Sequence, residues 1–140
     1  MRKFFLILLF ISLLQVANSQ SYWQQEVNYI IDVTLNDKEH TLDGFAKIEY
    51  TNNSPDSLKF IWFHIWPNAY KNDRTAFSEQ KLQNGDTRFY FSDKEEKGYI
   101  NRLDFKSSNS TLEIEDHPRF IDIIKVILNA PLAPRQTITI

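Results

Sequence analysis

The stretch LKFIWFHIWPNAY, residues 58–70, decides the fold of this chain. Apolar side chains occupy both alternating faces of an extended strand here: Leu58, Phe60, Trp62 and Trp66 on one, and Ile61, Phe63 and Ile65 on the other. A strand with one solvated face alternates apolar with polar residues, so this pattern predicts a strand covered on both faces. In a domain this small we expect the second cover to come from a neighbouring layer or another domain. His64, between aromatic residues, is predicted to be a buried core histidine.

Around this stretch the pattern is mainly of period two. It predicts further strands at residues 27–35, 40–51, 99–105, 112–115, 120–128 and 137–140, with a brief extended piece at 88–91. Gly44 shifts the phase of the second strand, which predicts a bulge or bend. Clusters of turn-forming residues at 52–57, 107–110 and 129–134 predict interruptions between strands.

One segment has helical character. Residues 73–82 combine good helix formers with an N-cap, either Asp73 or Thr75, and with Asn84-Gly85 as a stop signal. The sequence therefore predicts an all-β, mostly antiparallel, saddle-like or sandwich domain with one short helix on a loop excursion.

The first 19 residues have the pattern of an export signal. Arg2 and Lys3 precede an apolar core from Phe4 to Leu14, and Ala17-Asn18-Ser19 forms a small-x-small cleavage site before Gln20. The apolar run is shorter than the roughly 20 residues that span a bilayer, although a retained anchor is the alternative. We predict a signal peptide at 1–19 and a β domain at 20–140. The mature domain would be periplasmic, on the cell surface or secreted, without membrane association.

Composition narrows the function classes. The chain has no cysteine, so an exported domain of this kind has no disulfide and depends on packing for its stability. Its 16 basic and 18 acidic residues give a formal net charge of −2, and cleavage after residue 19 removes two of the basic ones. No basic stripe remains, which argues against nucleic acid as a partner.

No catalytic motif is present in the sequence. The three histidines, His40, His64 and His117, do not form a His-Glu-x-x-His pair, and neither a nucleophile elbow nor a phosphate loop occurs. Glu113, Glu115 and Asp116 with His117 have the composition of a metal cluster, but at a turn between strands we expect them to be solvated, as we expect of His40. We predict no catalytic, metal-binding or substrate-binding residue. Two glycosylation sequons, at Asn52 and Asn109, matter only for a eukaryotic export route.

Two blocks carry a family resemblance. DGFAKIEYTNNSPDSL (residues 43–58) and IWFHIWPNAY (residues 61–70) resemble the N-terminal domain of gluzincin zinc aminopeptidases of the aminopeptidase N type, especially exported bacterial members. GYINRL at 98–103, DIIKV at 122–126 and PLAP at 131–134 are also similar, so the likeness covers residues 22–140. Arg135 departs from the pattern, because a Pro-Gly turn is usual there.

The resemblance implies a β domain docked on a thermolysin-like catalytic domain. In that family His-Glu-x-x-His and a downstream glutamate bind zinc and supply the base, and Gly-x-Met-Glu-Asn holds the peptide's amino end, all in the later domain. None of these motifs falls on a residue of this chain. We therefore expect no cofactor and no activity in this chain alone. Zinc and peptide substrate are expected only with the parent enzyme's catalytic domain, whose cleft this domain would help to wall.

Three hypotheses about the function remain open. The strand pattern at Thr137–Ile140 has no cap, which indicates the front part of a longer protein and favours the aminopeptidase domain. The alternative is a free-standing secreted β-sandwich that binds peptide or sugar on an aromatic platform: Tyr22, Trp23, Trp66 and Tyr70. A family member that has lost peptidase chemistry and keeps a scaffold role is the third.

Overall fold

Antiparallel sheets dominate the computed structural model, which describes residues 22–140; the predicted signal peptide lies outside the described residues. The prediction of an all-β, antiparallel fold is confirmed. The strands are β1 Glu26–Asn36, β2 Thr41–Thr51, β3 Leu58–His64, β4 Lys106–Ser107, β5 Ser110–Thr111, β6 Glu113–Asp116, β7 Ile123–Leu132 and β8 Thr137–Thr139. In the described part of the chain they form one sheet in the order β1-β2-β8, a second in the order β3-β7-β6, and a small hairpin of β4 and β5.

The first sheet is built on a long β-hairpin. β1 and β2 each have 11 residues and pair without interruption from Glu26 opposite Thr51 to Asn36 opposite Thr41. The predicted bulge at Gly44 is wrong: Gly44 faces Val33 in regular register, because neither strand carries an extra residue. β8 pairs only with the last residues of β2, so the first sheet has three strands at its base and two along its outer part.

The second sheet contains a bulge that the sequence pattern did not locate. Phe60 faces Ile127 and Leu58 faces Leu132, so one residue of β3 stands opposite four residues of β7. The predicted interruption at 129–134 is therefore wrong in part, since β7 continues to Leu132. Pro131 lies in the bulge, where its missing N–H costs no ladder hydrogen bond.

The core lies between the second sheet and the base of the first. Alternate residues of β7 and β3 supply its centre, and the first sheet covers it with β2 and β8 side chains. The buried members are Ile61, Ile65, Leu112, Ile124, Val126, Leu128 and Leu132, packed against Tyr50, Phe63, Ile138 and Ile140 among others. Burying a side chain of this size contributes about 1.5–3 kcal/mol, so these residues are a major source of the stability of the fold.

The other face of β3 is open. Phe60 and Trp62 are 40% and 46% exposed, whereas Ile61 between them is 7% exposed. Within residues 22–140, therefore, β3 is covered on one face only. The second cover that the sequence pattern predicts stays a prediction.

The excursion between β3 and β4 carries the helix. α1 spans Ala76–Gln83, and its N-cap is Thr75, whose Oγ1 accepts a hydrogen bond from Ser78 N at 3.2 Å. The helix thus begins three residues after Asp73, the earliest start that the sequence allowed. It ends at the predicted stop, where Gly85 has φ 78°, a conformation that costs glycine little.

Two predicted extended pieces in this excursion are wrong. Residues 88–91 form turns, closed by hydrogen bonds from Phe91 N to Thr87 O and from Ser92 N to Phe89 O. Residues 99–105 run irregularly, because Ile100 N bonds to the Asn68 side chain at 2.9 Å instead of to a strand. Ile100, Leu103 and Phe105 of that segment still cover the core.

One buried amide holds the turn between the sheets. The Asn52 side chain is 0% exposed. Its Nδ2 donates to Asp56 O at 2.8 Å and to Leu132 O at 2.9 Å. Its Oδ1 accepts from Ser54 N, Ser54 Oγ and Gln25 Nε2. The amide thus joins the chain before β1, the turn after β2 and the end of β7.

Replacing this amide tests its importance. In Asn52→Leu the Ser54 N–H and the Leu132 carbonyl lose their partner inside the protein. Because each unsatisfied buried group costs about 1–3 kcal/mol, we expect the free energy of unfolding to fall by about 3 kcal/mol. Urea unfolding measures this loss. Asn53→Ala, which removes only exposed hydrogen bonds, should lower it by less than about 1 kcal/mol, and equal losses in the two variants would contradict the assignment.

The turn before β8 holds Arg135 in a strained conformation. Gln136 N donates to Ala133 O at 3.1 Å, Pro134 is second in the turn, and Arg135, third, has φ 66°. The third position of a turn with positive φ favours glycine or asparagine, because a Cβ there crowds the backbone. An arginine at this position therefore has a conformational cost.

Relieving this strain should stabilise the protein. We expect Arg135→Gly to raise the free energy of unfolding by about 1 kcal/mol. The matched control is Gly85→Ala at φ 78°, which introduces the same strain and should lower it by about 1 kcal/mol. Thermal and urea unfolding measure both. A loss of stability in Arg135→Gly would show that the arginine side chain outweighs the backbone strain.

Candidate functional site

The outer part of the β1–β2 hairpin carries an uncovered apolar surface. We define the hairpin face as the large side chains that share one side of the two strands: Tyr29, Ile31, Val33, Leu35 and Leu42. Each of them is between 58% and 67% exposed. Contiguous apolar surface of this kind is uncommon on soluble proteins and marks interaction sites.

The hairpin face is covered only at its base. Ile48, directly opposite Tyr29, is 7% exposed, whereas Leu35 and Leu42 near the hairpin turn are both 67% exposed. On the reverse side of β1, Ile30 alternates with Asp32 and Thr34, so that side is mixed in polarity. The hairpin is therefore amphipathic, and its apolar side meets no further layer within residues 22–140.

A second exposed surface lies on the outer side of the second sheet. We call it the aromatic face: Phe60, Trp62, His117, Phe120 and Lys125. Phe60 and Trp62 meet edge to face at 5.9 Å between ring centroids, Trp62 contacts His117 at 5.3 Å, and His117 stacks on Phe120 at 5.0 Å. Lys125 Nζ lies 4.7 Å from the Phe60 ring and 2.8 Å from a Glu115 oxygen. The rings thus hold one another in fixed orientations while remaining accessible.

His117 has a structural role. Its Nδ1 accepts hydrogen bonds from Arg119 N and Phe120 N, both at 3.1 Å, which closes the turn before β7. The prediction that His117 is solvated is therefore wrong, since it is half-buried between two rings. Glu115 pairs with Lys125, and no group of three or more potential metal ligands lies together in the described range 22–140.

His64 does not lie in the core. Its side chain is 42% exposed, stacks on Trp66 at 4.1 Å, and places Nδ1 3.7 Å from Asp122 Oδ2. The prediction of a buried histidine is wrong, because the parity of β3 puts His64 on the open side with Phe60 and Trp62. His40 lies in the exposed hairpin turn with φ 51°, and its predicted solvation is confirmed.

The shifted pKa values have local structural causes. Hydrogen bonds from the Arg88 side chain, and then from the Arg88 backbone, hold the pKa of Asp86 well below its usual range. Burial raises the pKa of Tyr50, which packs on the core. Asp86 lies in a loop ion pair with Arg88, and Tyr50 packs on the core. Both pKa shifts therefore have a structural explanation.

A groove of about 490 Å³ lies beside the turn that Asn52 anchors. Tyr22 and Trp23 line it, whereas Trp66 contacts His64 and Tyr70 contacts Phe77 at 4.5 Å. The four aromatics of the predicted platform thus do not line one common site. Arg135 also lines the groove, and residue patterns alone did not single it out as functional. The available signal was an arginine directly after Pro134, at a turn position that favours glycine.

Comparisons with known proteins give no relative. No family model, no curated protein and no solved structure matches the chain. Among the helices in residues 22–140, none is long and apolar enough to cross a membrane. The site is therefore interpreted from its own geometry.

The hairpin face predicts binding of a polarity-sensitive dye by the native protein. We expect Ile31→Thr, together with Val33→Thr and Leu35→Thr, to remove most of the dye fluorescence, because threonine keeps strand propensity but not apolar surface. The matched control is Ile30→Thr on the reverse side of β1, since Ile30 and Ile31 are both 60% exposed. An equal decrease in the control would contradict a localised apolar face.

Proposed function

We propose that this chain is the non-catalytic N-terminal β domain of an exported zinc aminopeptidase-like metallopeptidase. It docks through the hairpin face on the catalytic body and helps to wall the peptide cleft. The single observation that carries this proposal is the open apolar hairpin face. The resemblance of residues 43–70 to such domains indicates that the partner is a metallopeptidase catalytic domain.

The energetics favour a partner in the same polypeptide. Complete burial of an aliphatic side chain gains about 1.5–3 kcal/mol, so side chains that are already one-third covered gain about 1–2 kcal/mol each. The four aliphatic residues of the hairpin face together with Tyr29 give roughly 5–10 kcal/mol, which is comparable with the cost of associating two free molecules, about 4–15 kcal/mol. A covalent link removes much of that cost by raising the effective concentration of the partner. The hairpin face is therefore suited to docking between linked domains.

The division of labour follows from the side chains. The partner would supply the zinc, its ligands and the general base, because the sequence contains no His-Glu-x-x-His. The β domain would supply a rigid wall that positions a peptide, which contributes orientation instead of bond chemistry.

The proposal is tested first by the coding sequence beyond the codon for Ile140. An open reading frame that encodes His-Glu-x-x-His is the expected result, and its absence would contradict the proposal. The chain alone, supplied with zinc and an aminoacyl substrate, should show no turnover. Turnover that survives purification would contradict a non-catalytic role.

Docking is tested by association with the separately expressed catalytic body. We expect the variant Ile31→Thr/Val33→Thr/Leu35→Thr to weaken association at least about tenfold, because each lost aliphatic contact removes about 1 kcal/mol. Analytical ultracentrifugation measures the affinity. Ile30→Thr should leave it unchanged, and a loss of affinity in the control that equals the loss in the triple variant would exclude the hairpin face as the contact.

A further inference from the structure

We propose that the groove beside Arg135 is a binding site for the carboxyl terminus of an apolar or aromatic peptide. The groove measures about 490 Å³, and its walls include Tyr22, Trp23, Asn53, Pro55, Pro134 and Arg135. This volume is within the usual range for small-ligand sites. The inference does not depend on the docking role, because the hairpin face contributes none of these residues.

Arg135 gives the groove its specificity for an anion. None of the ion pairs within residues 22–140 involves Arg135. Its NH1 donates to Asn53 Oδ1 at 3.3 Å, which leaves most of its five N–H donors available. A guanidinium presents these donors as a planar fork that matches a carboxylate.

The backbone of Arg135 supports a functional reason for the side chain. With φ 66° after Pro134, glycine or asparagine would fit this turn at lower conformational cost. Strained residues that persist in a fold are concentrated at binding and active sites. The strained backbone at Arg135 places an exposed guanidinium at the groove.

Both polar and apolar side chains line the rest of the groove, and its aromatic and proline rings offer a surface for an apolar ligand body. Tyr22 and Trp23 are 87% and 45% exposed, and the rings of Pro55 and Pro134 add apolar wall without an N–H donor. The polar groups of Asn53 are already engaged, since Asn53 N donates to Gln25 Oε1 and Nδ2 donates to Gln24 O. A sugar needs many hydrogen-bond partners and a phosphate favours several cations. Gln24 and Ser54 also line the groove, but Gln24 Oε1 accepts from the Tyr22 hydroxyl, and Ser54 Oγ bonds to Asn52 Oδ1 and Asp56 O. One available guanidinium beside aromatic and proline rings fits a single carboxylate on an apolar residue.

Binding can be measured with a matched pair of probes. The full chain is titrated with N-acetyl-Ala-Ala-Phe and with its C-terminal amide, and binding is followed by calorimetry and by the indole N–H signal of Trp23. We expect the carboxylate to bind roughly tenfold to hundredfold more tightly than the amide, as charge-assisted hydrogen bonds do. Equal binding of the two probes, or no saturable binding of the carboxylate, would overturn the proposal.

Variants separate the site from the fold. Arg135→Gly should abolish the preference for carboxylate over amide while the melting temperature stays equal or rises, and Arg135→Lys should retain part of the preference. A variant Arg135→Gly that keeps the full preference would overturn the role of Arg135. N-acetyl-Phe distinguishes the ligand source: weaker binding than the tripeptide supports a peptide terminus, and equal binding overturns the peptide in favour of a small aromatic carboxylate.

Discussion

The Asn52 amide is the interaction on which the arrangement of the two sheets depends. It lies where β2 ends, and through five hydrogen-bond contacts it reaches the segment before β1, the turn that follows β2 and the last residue of β7. The backbone of Asn52 also bonds to Arg135 and Gln136, so the turn before β8 is fixed at the same place. The chain has no cysteine and therefore no disulfide between distant segments. The Asn52 amide, with its two N–H donors and its acceptor oxygen, links such segments by hydrogen bonds instead.

This anchor explains why the molecule is well packed at one end and open at the other. β8 and the end of β2 cover the core near Asn52, and the hairpin then extends beyond the last residue that can cover it. The apolar side of the β1–β2 hairpin is consequently buried at Ile48 and exposed at Leu35 and Leu42. The proposed docking role and the groove both follow from this geometry, the first from the open end and the second from the anchored end.

Local signals in the sequence predicted the elements that depend on local chemistry. Period-two alternation located the hairpin strands, and the Thr75 cap and Asn84-Gly85 stop located α1. The failures share a cause, which is that tertiary partners decide them. Ile100 N bonds to the Asn68 side chain instead of to a strand. The residues of β7 opposite Lys59 form a bulge, although their sequence is typical of an interruption between strands. His64 was misplaced because its aromatic neighbours suggested burial, whereas strand parity alone would have put it on the open side.

The buried state of Asn52 has a consequence for producing the protein, because Asn52 is also the acceptor of a glycosylation sequon. A glycan on Nδ2 would leave one N–H where the fold uses two, and it would place a bulky sugar at a position with no solvent access. Nascent chains that receive a sugar there in a eukaryotic secretory pathway could not close the turn. Asn109, at the exposed tip of the β4–β5 hairpin, can carry one without disturbing any strand. Bacterial expression therefore avoids the problem, whereas removal of the Asn109 sequon alone would leave Asn52 open to modification in a yeast or insect host.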